Sequence, residues 1–170
     1  SQHIIDMSEN EIEVPEDYTR EELRQDLLCY TSPVLKEDLV LTGDMTAELY
    51  ISSDAPDTDF VVRVTDVDEN GRSIKLADGL LSARYRNGFA RSEFLQEGEI
   101  VCLKIRTTKL SNCFRKGHRI RVTVTSSAKN FIFPNSNTRE GFASARTVVA
   151  HNRVYHGGLH ASRLTVRVEP

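Results

Sequence analysis

Hydrophobic and polar residues alternate over most of this chain. Leu39 and Leu41, then Ala47, Leu49 and Ile51, then Phe60, Val62 and Val64, recur at every second position, as do Val101, Leu103 and Ile105, Ile120, Val122 and Val124, and Leu164, Val166 and Val168. A period of two sends neighbouring side chains to opposite faces of an extended backbone, so each run predicts a β-strand with one buried face. Arg63 and Thr65, Lys104 and Arg106, Arg119, Arg121 and Thr123, and Arg163, Thr165 and Arg167 fall on the opposite faces, toward solvent or an interface. Two further runs, 73–85 and 147–155, are rich in strand formers. About eight strands result, a number that suits an all-β jelly-roll sandwich.

The punctuation between runs agrees with strands. Asp54-Ala55-Pro56-Asp57 and Asp68-Glu69-Asn70-Gly71 read as hairpin turns, and Gly98 and Gly117 mark turns before later strands. The stretch 128–145 holds Pro134, Gly141 and three asparagines and is long for a connection, a length that favours a functional or interface-forming loop. One helix is predicted over Thr19 to Leu28, where Thr19 and Glu22 have the spacing of a capping box.

Charge divides the chain in two. Residues 1–26 hold nine acids and two bases, whereas residues 27–170 hold sixteen acids and twenty bases. An acidic arm or linker, 1–26, thus precedes a mildly basic body, 27–170, and 170 residues suit one such body with a single core. The bases are spread rather than clustered and there is no Trp, which argues against nucleic acid as a partner. Apolar runs reach only three or four residues, far below the ~18 of a membrane-spanning helix, and Ser1 to Asn10 lacks the charge and apolar core of a signal peptide. Cys29, Cys102 and Cys113 have no CxxC spacing and read as buried free thiols.

Catalytic patterns are sparse. The G-x-S-x-G elbow that lifts a nucleophilic serine above a parallel sheet does not occur. Asp57 and Asp59 offer two carboxylates on one side of an extended segment, a weak candidate for a metal site that competes with ordinary turn capping. His156 and His160 have helical ligand spacing, but Gly157 and Gly158 between them disfavour a helix. No cofactor is expected. Phe131, Phe133 and Tyr155, with Asn130, Asn135, Asn137 and Arg139, compose an aromatic and amide-rich region that suits either a sugar or a neighbouring protein domain.

Four segments together are distinctive. They are Tyr30-Thr31-Ser32-Pro33 leading into Glu37, Asp38, Leu39, Thr42 and Gly43; Ser52 to Phe60 continuing through Asp66 to Asp68, Gly71, Arg72 and Leu76 to Gly79 as far as Ala83 to Arg86; Phe114 to Arg121; and Val154, Tyr155 and His156 with His160, Ser162 and Arg163. In these the chain resembles the C-terminal, non-catalytic domain of the X-Pro dipeptidyl-peptidase, cocaine esterase and α-amino-acid ester hydrolase group of serine hydrolases. The family pattern departs after Ser127, where Ala128 to Asn135 replaces its usual continuation.

The resemblance implies a galactose-binding-like jelly roll that packs on an α/β-hydrolase domain of the same polypeptide, supports its active-site region and contributes none of its Ser-Asp-His triad. Tyr85, Arg86, Phe131, Phe133, Asn137, Tyr155 and His156 are the expected domain-contact or ligand residues. Any homo-oligomer would form through the parent, expected in a bacterial cytoplasm or, behind a signal peptide, in the periplasm or outside. A carbohydrate-binding module using the 131–139 loop is the alternative.

Overall fold

The computed structural model describes residues 17–128 and 132–168. Their eleven strands are β1 (Leu28–Thr31), β2 (Leu39–Gly43), β3 (Thr46–Ser53), β4 (Asp59–Val67), β5 (Ser73–Ser82), β6 (Val101–Arg106), β7 (Leu110–Phe114), β8 (Arg119–Thr125), β9 (Asn152–Gly157), β10 (His160–Ala161) and β11 (Arg163–Thr165). All pairings are antiparallel. One sheet has the order β1-β8-β4-β5. In the second, β3 pairs β6 on one edge, while its other edge is shared by β11 and β9, with β10 outside β9. A two-stranded ribbon, β2 with β7, completes the fold.

The alternation places the core. Ala47, Leu49 and Ile51 of β3 and Leu103 and Ile105 of β6 pack against Phe60, Val62, Leu81 and Val124 of the facing sheet. A second cluster of Met45, Val64 and Ala77 joins Leu110 of the ribbon. This is the all-β sandwich that the period-two pattern requires, with apolar faces turned inward. At one edge the sheets approach closely: a Cβ on Gly79 would stand 2.5 Å from the carbonyl oxygen of Arg106. The opposite edge, between β1 and β9, is bridged by Tyr30 Oη and His156 Nε2 at 3.0 Å and encloses an apolar cavity of about 260 Å³.

Several expectations change. The cysteines are free but not buried, Cys29 being exposed on β1 and Cys102 and Cys113 half-buried. Residues 54–58 carry the chain from one sheet to the other instead of closing a hairpin, whereas 68–72 does join β4 to β5, with Gly71 at φ +85°. Val166 and Val168 lie beyond β11, Val168 forming an isolated bridge to Leu41. The helix over 19–28 is reduced to one 3-10 turn, Glu21–Leu23, because both residues of the supposed capping box bond elsewhere. Thr19 Oγ1 donates to Asp17 and accepts from the Ser73 amide, and the Glu22 carboxylate reaches Thr65, Ser73 and Arg121. This segment lies on the outer face of the first sheet, so Arg63 and Thr65, on a face expected to meet solvent or an interface, are buried beneath it.

Candidate functional site

The register gathers three connections at one end of the sandwich: 54–58 after β3, 83–100 after β5 and 126–151 after β8. They are held by a buried polar clamp. Asp57, 1% exposed, accepts from the Arg84 amide at 2.9 Å, from Arg84 Nε at 2.7 Å and from Asn135 Nδ2 at 2.8 Å. The same Asn135 amide donates to Asp59 Oδ1 at 2.8 Å. Arg84 also donates to the carbonyls of Thr138 at 2.7 Å and Arg139 at 3.2 Å, tying the three connections together. Phe94 lies under both guanidinium groups, 5.0 Å from Arg84 and 4.7 Å from Arg139. A buried carboxylate is sustained only by such charge-assisted bonds, and here each donor is supplied by protein.

The long connection folds back on itself. Asn137, in the left-handed region at φ 58°, donates through Nδ2 to the Val148 carbonyl at 2.8 Å, and the Val148 amide donates to the Ser136 carbonyl at 3.0 Å. This hairpin-like ledge presents Val149 and Phe133 almost fully to solvent, 79% and 81% exposed. Phe89 on the neighbouring connection is 80% exposed. Between the ledge and β1 runs a groove of about 580 Å³ whose walls include Leu28, Phe60, Val124, Pro134, Val149 and Val154. Val124 and Val154 also line the cavity at the open β1–β9 edge, so the two hollows adjoin.

The expected contact residues are only partly brought together. Phe133 and Asn137 lie on the ledge, whereas Phe131 lies outside the described residues. Tyr85 packs 5.5 Å from Phe89, and Arg86 donates to the carbonyls of Ala83 and Glu93. His156 meets Tyr30 at the open edge, while Tyr155, on the other face of β9, bonds Ser52 Oγ at 2.9 Å. Leu28, Phe89, Val148 and Val149 do not stand out in sequence, because an exposed apolar residue looks like any other until its neighbours are known.

The polar groups at this end form structural pairs. His151 Nδ1 contacts Asp54 Oδ2 at 2.6 Å, and the His151 amide together with its ring holds the Asp54 carboxyl below the usual carboxylate range. Among the described residues no serine hydroxyl bonds a histidine, and no group of three or more His, Cys, Asp and Glu side chains converges as a metal site would require.

Proteins similar to this chain include hydrolases several times its length. The chain is 37% identical over 150 residues to the cocaine esterase of Rhodococcus sp. (strain MB1 Bresler), an alignment covering 85% of this chain and 26% of that protein. The chain therefore spans about a quarter of that relative's length. Its fold superimposes on an aminopeptidase from a marine sediment archaeon, Thaumarchaeota archaeon, with TM-score 0.86 and 26% identity, covering 91% of this chain and 28% of the other. An α-amino acid ester hydrolase matches with TM-score 0.81 and 25% identity, over 86% of this chain and 26% of its own. Residues 7–165 match the family described as the X-Pro dipeptidyl-peptidase C-terminal non-catalytic domain, and the chain belongs to that family.

Proposed function

We propose that this chain serves as the accessory domain of a serine hydrolase, seated on a catalytic α/β-hydrolase domain of the same polypeptide and supporting its active-site region. The carrying observation is the loop end of the sandwich. There the Arg84–Asp57–Asn135 clamp spends buried charge on fixing a ledge whose outward residues, Val149, Phe133 and neighbouring Phe89, are apolar and exposed. Rigid display of apolar side chains around a groove suits a protein partner, since such a patch gains most by being covered. Phe133, Asn137 and His156 would contribute to this face, with Tyr85 and Arg86 shaping its border.

Carbohydrate recognition has less support. The amides that would read sugar hydroxyls are engaged within the fold, Asn135 with Asp57 and Asp59 and Asn137 with Val148. About half of the residues lining the groove are polar, Asp26, Ser126, Ser127 and Asn152 among them, so the distinction rests on the engaged amides.

The purified chain is expected to leave p-nitrophenyl esters and X-Pro anilides intact, while the longer polypeptide that contains it hydrolyses substrates of one of these classes. In that polypeptide Val149→Asp should weaken activity or thermal stability, whereas Leu159→Asp, at a residue 92% exposed on the β9–β10 turn, should not. Turnover by the isolated chain, or equal tolerance of both substitutions, would overturn the reading.

A further inference from the structure

One edge of the first sheet is uncovered among the described residues. β1 pairs with β8 on one side alone, and its four residues, Leu28 to Thr31, are all exposed. The Ser32 amide donates to the Ile120 carbonyl at 2.9 Å, which makes 32 and 120 a hydrogen-bonded pair. In an antiparallel ladder such pairs recur at every second residue, so Tyr30 with Val122 and Leu28 with Val124 are bonded likewise. The N–H and C=O groups of Cys29 and Thr31 therefore turn to the free side.

Natural sheets blunt such edges with charge, proline or cover. Two other edges follow that rule. β6, at the edge of the second sheet, carries Lys104 and Arg106, and the free side of β5 is bridged by Asp17 at Ile74 and bonded by the Thr108 amide at the Asp78 carbonyl, 2.8 Å away. β1 has no such protection: Leu27 to Leu35 holds no charged residue, and Pro33 comes only after the strand has ended. Its inward side chains border open space. Leu28 lines the groove of about 580 Å³, and Tyr30 lines the cavity of about 260 Å³ whose apolar walls include Val122, Val154 and Leu164.

We propose that an extended segment of the hydrolase portion of the same polypeptide adds to the sheet beside β1, pairing its main chain with Cys29 and Thr31 and turning an apolar side chain toward the cavity. Two observations assign the occupant to the same polypeptide. The groove that β1 borders continues to Val149 of the ledge, and the chain spans only 26% of the Rhodococcus cocaine esterase, so most of such a polypeptide lies outside it. Strand addition suits this edge, since main-chain hydrogen bonds supply affinity while alternate side chains fill pockets. The pairing presupposes the docking proposed above and specifies one contact within it.

Amide hydrogen exchange, resolved to single residues by mass spectrometry with electron-transfer fragmentation, tests this on the 170-residue chain and on the longer polypeptide. Cys29 and Thr31 should exchange at least about tenfold more slowly in the longer polypeptide, the weight of one added hydrogen bond, while Tyr30, bonded to β8, is protected in both. Cys29→Pro removes one outward N–H and should abolish the slowing at Thr31, whereas Cys29→Ala should keep it. Should Cys29→Pro fail to fold, the comparison of the unsubstituted proteins decides. Slowing that survives Cys29→Pro would mean burial without pairing and overturn the proposal. Unchanged exchange at Cys29 and Thr31, with Phe133 and Val149 shielded from hydroxyl radicals in the same polypeptide, would overturn strand addition and leave the docking face standing; unchanged exchange with both residues fully reactive would overturn both. Protection in the 170-residue chain that rises with its concentration would assign the edge to a second copy, against the proposal.

Discussion

Glu22 Oε2 stands 2.6 Å from Arg121 Nη1, and this pair fastens the acidic segment before β1 to the outer face of the first sheet. The other Glu22 oxygen accepts from Thr65 at 3.1 Å and Ser73 at 2.9 Å, so one buried carboxylate serves three strands. Glu22→Ala should cost about 2–4 kcal/mol in urea unfolding, since it strands Arg121 and two hydroxyls. Arg121→Ala should cost about 3–5 kcal/mol, at least as much, because it leaves the buried Glu22 carboxylate without its cation, whereas Arg121 left alone retains access to water. Values within ~0.5 kcal/mol of zero for both would mean that the segment does not dock.

Gly79 is required by space. A methyl group there meets the backbone of Arg106, which has no freedom to retreat without separating β5 from β6. Gly79→Ala should destabilise by about 1–3 kcal/mol or prevent folding. Gly157→Ala, with nothing within 4 Å, should cost at most ~0.5 kcal/mol, and equal effects at the two positions would contradict the close approach of the sheets.

Arg84→Ala removes donors from Asp57 and from the carbonyls of Thr138 and Arg139. Breaking a buried pair of this kind costs about 3–5 kcal/mol, and here the loss should concentrate in the ledge. Trypsin cleavage after Arg139 and Arg146 should accelerate in the variant well before global unfolding. Unchanged cleavage would show that the ledge does not depend on the clamp.

Asp17 titrates unusually low, at about 2 instead of 3.8, because the Thr19 hydroxyl and amide and then Arg72 stabilise its carboxylate. A depressed folded value means that its contribution is complete above the unfolded value and is lost as pH falls through the folded one. The Asp17–Thr19 and Asp17–Arg72 contacts should therefore persist to about pH 3 and disappear near pH 2. A carboxyl resonance of Asp17 with its midpoint near 4 would contradict the geometry.

The sandwich was legible because burial of one face imposes a period of two, and Ala47 to Ile51, Val101 to Ile105 and Ile120 to Val124 carry that period without interruption. Legibility ended where a second layer intervenes. Arg63 and Thr65 sit at positions that a two-layer fold would leave wet, and only the distant contacts of Tyr18 and Glu22 cover them. The same contacts account for the missing helix, since Glu22 gains more from Arg121, Thr65 and Ser73 than from capping its own turn. At the loop end, the length of 128–145 signalled a functional connection. The clamp did not, because Asp57, Arg84 and Asn135 are separated by 27 and 78 positions and each has an ordinary local reading. Val148 and Val149 belong to a run rich in strand formers but precede β9 and lie on the rim of the groove.

The docking face is tested most directly by hydroxyl-radical footprinting of the longer polypeptide, read by mass spectrometry at individual side chains. Phe89, Phe133, Val148 and Val149 should be oxidised much more slowly than their exposure in this chain implies, while Leu23 and Leu159, 80% and 92% exposed, should react at full rate. Full reactivity of the four loop-end residues in the intact protein would contradict the account.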